Sequence, residues 1–166
     1  MELKELYLKT VFCCMSCDGD IAKEEIALLE KYAKENHLFD GLDIKTLVNG
    51  YVDSIHSEGR MFLDSYLQEL ADSTLTDDEQ LEIVKLAIET IEADNKIEYS
   101  EVSFFKEIRS RLSISDDAIL KEMPGREDYL LPDIKTNNIL DGLNVSFDSI
   151  VFDTNILKLD TTKQAN

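Results

Sequence analysis

Apolar residues recur at intervals of three and four through the first 123 positions of the chain, the spacing of helices that bury one face. Leu3, Leu6, Tyr7, Val11, Phe12 and Met15 mark a first amphipathic helix over 3–16, and Ile26, Leu28, Leu29, Tyr32 and Ala33 a second over 22–36. The link between them, Cys17-Asp18-Gly19-Asp20-Ile21, is a tight turn in which Gly19 supplies the left-handed conformation that ends a helix. Asp43 caps a third helix carrying Leu47, Val48, Tyr51 and Ile55. Ser57-Glu58-Gly59 breaks it, and Met61, Phe62, Tyr66, Leu67 and Leu70 stripe a fourth that ends near Ser73.

Thr76-Asp77-Asp78-Glu79 has the form of a capping box, Thr76 accepting from the third amide of a fifth helix and Glu79 reaching back to the cap amide. That helix runs through Leu81, Val84, Ala87, Ile88 and Ile91 to a turn at Ala93-Asp94-Asn95-Lys96-Ile97. A sixth carries Val102, Phe104, Phe105, Ile108 and Leu112, and Ser115 caps a short seventh that stops before Met123-Pro124-Gly125. The pattern predicts an all-α fold: a compact bundle of about seven helices over 1–123, followed by a tail over 124–166. Between Asn137 and Asp160 the tail mixes turn-forming Asn, Asp, Ser and Thr with Val145, Phe147, Ile150, Val151, Phe152, Ile156 and Leu157. Short strands and turns both fit that mixture, and the apolar content predicts an extended segment that docks on the bundle or on a partner.

The sequence repeats itself at an offset of 76 positions. Asp18-Gly19-Asp20-Ile21 aligns with Asp94-Asn95-Lys96-Ile97, and Glu25 with Glu101. Apolar class is kept on both sides, Phe12 with Ile88, Met15 with Ile91, Ile26 with Val102, and Leu28 and Leu29 with Phe104 and Phe105. Asn95 in place of Gly19 is consistent, because Asn tolerates positive φ better than other side-chain-bearing residues. Two copies of one helical hairpin, packed about a pseudo-two-fold, would gather Asp18, Glu25, Asp94 and Glu101, with Asp20 and Glu98 nearby.

Such hard oxygen donors suit a divalent cation, calcium or magnesium before zinc. The same residues also have a purely structural use: acids in the first turn of a helix favour its dipole and cap its amides, Asp forms turns, and Ile21 and Ile97 would plug the hairpins. The EF-hand frame lacks its first Asp in both copies, since loop positions one and three would be Cys14 and Ser16 in one and Thr90 and Glu92 in the other, so a calcium site here would be noncanonical and weaker. Cys14-Met15-Ser16-Cys17 is formally C-x-x-C, but His37 and His56 lack ligand spacing to it and there is no second cysteine pair. Cys13, Cys14 and Cys17 therefore read as small apolar residues of a helix.

Met15-Ser16-Cys17-Asp18-Gly19-Asp20-Ile21 with Glu25, and its second copy Ile91-Glu92-Ala93-Asp94-Asn95-Lys96-Ile97 with Glu101, resemble the two motifs of the tellurite-resistance protein B (TerB) family. The resemblance spans residues 1–122. It implies a bundle of about seven helices with internal pseudosymmetry, a stress-response or tellurite-resistance setting, and a metal centre at Asp18, Glu25, Asp94 and Glu101. The chain departs from the family pattern at Asn95 and at Lys96, which stands opposite Asp20 and lowers the negative charge of the second half-site.

Composition narrows the remaining choices. The chain has 166 residues, 35 acidic against 17 basic, and a net charge of −18, which repels phosphate backbones and anionic membranes. Segments 1–36, 37–75, 76–125 and 126–166 carry −3, −5, −7 and −3, so most of the excess is solvated surface and only the repeated acids of the two turns single out a site. No apolar run approaches the ~20 residues of a membrane span, and MELKELYLKT lacks the apolar core of a signal peptide. The expected location is cytoplasmic. Neither a phosphate-binding glycine loop nor a nucleophile elbow occurs, so a noncatalytic module is expected. Its alternative role is protein interaction through the acidic surface and the tail, with the carboxylates serving only as caps.

Overall fold

The computed structural model describes residues 2–35, 37–131 and 146–157. These form eight helices and no strand: α1 Leu3–Ser16, α2 Lys23–Glu35, α3 Ile44–Glu58, α4 Arg60–Asp72, α5 Asp77–Glu92, α6 Tyr99–Ser110, α7 Asp116–Glu122 and α8 Glu127–Leu130, with a 3-10 turn at Thr154–Ile156. Helix α1 is the axis of the bundle. It packs most extensively along α5 and also meets α3, α4 and α6. Every residue from Leu6 to Ser16 is buried, so the amphipathic stripe expected there widens to the whole circumference.

Burial on all sides requires the polar residues of α1 to find partners inside. Lys9 Nζ lies 2.9 Å from Glu69 Oε2, and 5.1 and 5.8 Å from the ring centroids of Phe62 and Tyr51. Thr10 Oγ1 is 2.6 Å from the Tyr66 hydroxyl and bonds the Leu6 carbonyl, while Ser16 Oγ donates to the Phe12 carbonyl at 2.8 Å. Cys13, Cys14 and Cys17 are buried free thiols, and burial pushes their ionisation well above the ordinary range. They pack as apolar groups rather than as a reactive pair.

The expected helix starts are present. Asp43 accepts from the Thr46 amide, Ser115 from the Ala118 amide, and at Thr76 both bonds of the capping box form, Glu79 N to Thr76 Oγ1 at 3.2 Å and Thr76 N to Glu79 Oε2 at 2.9 Å. Gly59 joins α3 directly to α4 at φ 60° and ψ −133°, a combination open mainly to glycine. Met61, expected on the apolar face of α4, is instead 68% exposed.

Helical structure continues past the expected boundary at residue 123. Helix α8 packs on α6 and places Tyr129 in the core against Phe105, with Arg126 and the Tyr129 hydroxyl both bonding the Glu92 carboxylate. The segment 146–157 then lies against α3 with Phe147, Ile150, Phe152 and Leu157 buried and Val151 exposed. Its backbone is turns and extended residues. His56 Nε2 donates to the Ile150 carbonyl at 2.8 Å, and Thr154 Oγ1 to Asn49 Oδ1 at 3.2 Å. A side chain at Gly59 would come within 3.9 Å of the Phe147 ring. Val145 and the side chain of Ile156 lie outside the described residues.

Candidate functional site

The two turns singled out by the repeat share their hydrogen bonds atom for atom. Gly19 N donates to Ser16 O at 3.0 Å, and Asn95 N to Glu92 O at 3.2 Å. Asp18 Oδ1 accepts from Asp20 N at 3.0 Å, and Asp94 Oδ1 from Lys96 N at the same distance. Gly19 and Asn95 both have positive φ, 88° and 58°. Glu25 Oε1 accepts from Ala22 N at 2.8 Å, and Glu101 Oε1 from Glu98 N at 3.0 Å, each carboxyl closing the first turn of its own helix. Ala22 and Glu98 are themselves equivalent at the offset of 76, so the match extends to backbone donors.

Glu25 and Glu101 are each only 4% exposed, and no ion pair among the described residues involves either, an unusual state for glutamate. Burial, opposed by the Ala22 amide and reinforced by the negative charges of Glu101, Asp18 and Asp94, pushes Glu25 up to about 9. Burial, opposed by the Glu98 amide and reinforced by Asp18, Asp94 and Glu98, pushes Glu101 up to about 8. Asp18 is raised too, by burial and by Asp20 and Glu98, against the bond from the Asp20 amide. Mutual fields of this kind bring Asp18, Glu25, Asp94 and Glu101 into one electrostatic cluster, with Glu98 acting on it and Asp20 acting on Asp18. Asp20 and Glu98 themselves are exposed.

One atom in the cluster is unanswered. Among the described residues, Glu25 Oε2 is buried with no hydrogen-bond partner, while Oε1 of the same carboxyl accepts from the Ala22 amide. The donor set is entirely carboxylate oxygen, which suits a hard cation such as calcium or magnesium. Among the described residues, no three or more His, Cys, Asp or Glu side chains stand in ligand geometry for a metal ion. The fit therefore rests on donor chemistry and on the orphaned Glu25 oxygen, while the side-chain orientations are those of helix caps.

The two turns differ in what covers them. Ser149 Oγ, from the C-terminal segment, donates to Gly19 O at 3.3 Å, and Gly19 is buried. Asn95 is exposed. Ile21 is partly buried against the core, but Ile97, expected to plug its hairpin in the same way, is 53% exposed. Ser149 escaped the reading of the sequence because it acts across 130 positions, with no local signal. No family model, curated protein or solved structure matches the chain.

Proposed function

We propose that the chain is a noncatalytic helical module that takes up a divalent cation, of the calcium or magnesium class, at the paired turns. The observation that carries this reading is the buried, unpartnered Glu25 Oε2, on a carboxyl that burial and the neighbouring charges of Glu101, Asp18 and Asp94 hold back from ionising. Glu25 and Glu101 would hold the ion from the inner side, and Asp18 and Asp94 from the half-exposed turns through which it enters. A bound cation supplies the positive charge that the cluster lacks and favours the ionised form of each carboxyl. The repeated backbone bonds fix the carboxyls in place, since each glutamate is tethered at Oε1 and each aspartate at Oδ1. Sealing of both glutamates speaks against their use as acid–base groups on a substrate.

A cytoplasmic, stress-response or tellurite-resistance setting follows from the TerB resemblance, and the three reduced, buried cysteines agree with a reducing compartment. The charge of −18 argues against a nucleic-acid partner. No helix among the described residues is long and apolar enough to cross a membrane. The second reading, a protein-interaction module with the carboxylates as caps only, is favoured by the bonds from Ala22 and Glu98.

Isothermal titration of the full chain with calcium, magnesium and zinc chlorides at pH 8 separates the two. Saturable heat from calcium or magnesium is expected, with a Kd on the order of 10⁻⁴–10⁻³ M, accompanied by proton release and abolished by Glu25→Gln. No heat at millimolar cation leaves the carboxylates as caps and overturns the cation reading.

A further inference from the structure

Helix α1 has the carboxylate turns at its C-terminal end and a cleft at the other, roughly 20 Å away for a helix of 14 residues. The cleft has a volume of about 400 Å³. Leu3, Leu6 and Leu75 give it an apolar lining, and Glu69, Asp72 and Glu79 line it with carboxylates. Leu3 also borders a second, separate cleft of about 450 Å³, lined by Glu2, Lys4, Asp40, Gly41 and Leu42.

Two independent sources make this cleft negative. The first is its side chains: Glu69 is answered by Lys9, but no ion pair among the described residues involves Asp72 or Glu79. The second is the backbone. Asp72 is the last residue of α4, whose final turn contains no basic residue; Ser73 answers the Leu70 carbonyl through its amide and hydroxyl, but no cationic side chain of the helix offsets its negative end beside the cleft. The positive end of α5, which also borders it, is already answered by the capping box and by Asp77, Asp78 and Glu79.

We propose that this cleft is a docking site for a peptide segment that inserts an apolar side chain between Leu3, Leu6 and Leu75 and sets Lys or Arg against Asp72, Glu79 and the end of α4. An apolar floor alone would admit any hydrophobic segment. The carboxylates and the helix end select a basic one and speed its encounter. The site is separate from the carboxylate turns, so it stands whether or not a cation binds there.

The test uses the full chain and a fluorescein-labelled 12-residue peptide of alternating Leu-Leu and Lys-Lys pairs, read by fluorescence anisotropy and by amide chemical-shift mapping. Binding is expected, with shifts centred on Leu3, Ser73, Thr74 and Leu75. Asp72→Asn with Glu79→Gln should weaken it at least tenfold, because Gln preserves the capping box while both charges are lost. The charge-matched pair Asp53→Asn with Glu122→Gln, at exposed positions elsewhere, should change affinity less than twofold. A peptide with Ser in place of Leu should bind at least tenfold more weakly. Equal losses in the two double variants would mean that the peptide reads only net charge, and no binding at millimolar peptide would mean that the cleft takes no such segment; either result overturns the proposal.

Discussion

Glu25 shows what it means to bury a carboxyl without a cation. Its proton is held more tightly in the folded chain than in the unfolded one, where a glutamate titrates near 4.5. Between pH 4.5 and about 9 the folded state therefore binds more protons than the unfolded state, and stability declines as pH rises through that window. Glu101, raised to about 8, acts in the same direction. Glu25→Gln keeps an oxygen for the Ala22 amide and needs no proton. The variant should be more stable than the parent by up to about 4–5 kcal/mol near pH 8 and nearly equal to it at pH 4.5, as measured by urea denaturation at both pH values. A parent whose advantage over Glu25→Gln grew with pH would show that the carboxyl is ionised and compensated in the fold.

Between single residues and the bundle stands the C-terminal segment, which lies on α3. It is tied by His56 to Ile150, by Asn49 to Thr154 and by Gly19 to Ser149, while Phe147, Ile150 and Phe152 bury their side chains. Phe152→Ala should cost roughly 3 kcal/mol in denaturant unfolding if the segment is an integral part of the core. A loss under 1 kcal/mol would mean that it rests on the surface. Elements controlled by neighbours in the chain were legible beforehand: Thr76 with Glu79, Asp43 with Thr46, and Ser115 with Ala118 are bonds over three positions, and each is present. The Asp18 and Asp94 turns were legible for the same reason, and the repeat pointed to their pairing.

What depends on distant partners was not legible. Periodicity gives α1 one buried face, but only the surrounding helices determine that Lys9, Thr10 and Ser16 are buried as well. Gln80 stands outside the apolar stripe of α5, yet it is buried: its Oε1 accepts from the amides of Ser113 and Ile114 and its Nε2 donates to Leu75 O, binding the start of α5 to the loop before α7. Met61 and Ile97 failed in the opposite sense. Met61 is in phase with the stripe of α4 and Ile97 stands in the turn before α6, but the core reaches neither.

For the chain as a whole, charge opposes compaction. At −18, self-repulsion among exposed carboxylates destabilises the folded form, and salt screens it. Raising sodium chloride from 10 to 150 mM shortens the Debye length from about 30 to about 8 Å, and should raise Tm by several degrees in a thermal scan. Calcium chloride at matched ionic strength should add a further increment, because a bound ion stabilises beyond screening. Coincident curves for the two salts would assign the entire effect to screening.

The central position of α1 has a consequence for how the chain is made. Helix α1, whose residues from Leu6 to Ser16 are covered on every side, is synthesised well before its most extensive partner, α5, which lies about 75 positions later. At ~5–20 residues per second, an apolar segment holding three thiols waits several seconds for the helix that shelters it. Its partners α3 and α4 emerge sooner and can cover only part of it. The nascent chain thus passes through a stage in which its own axis is the surface most in need of protection.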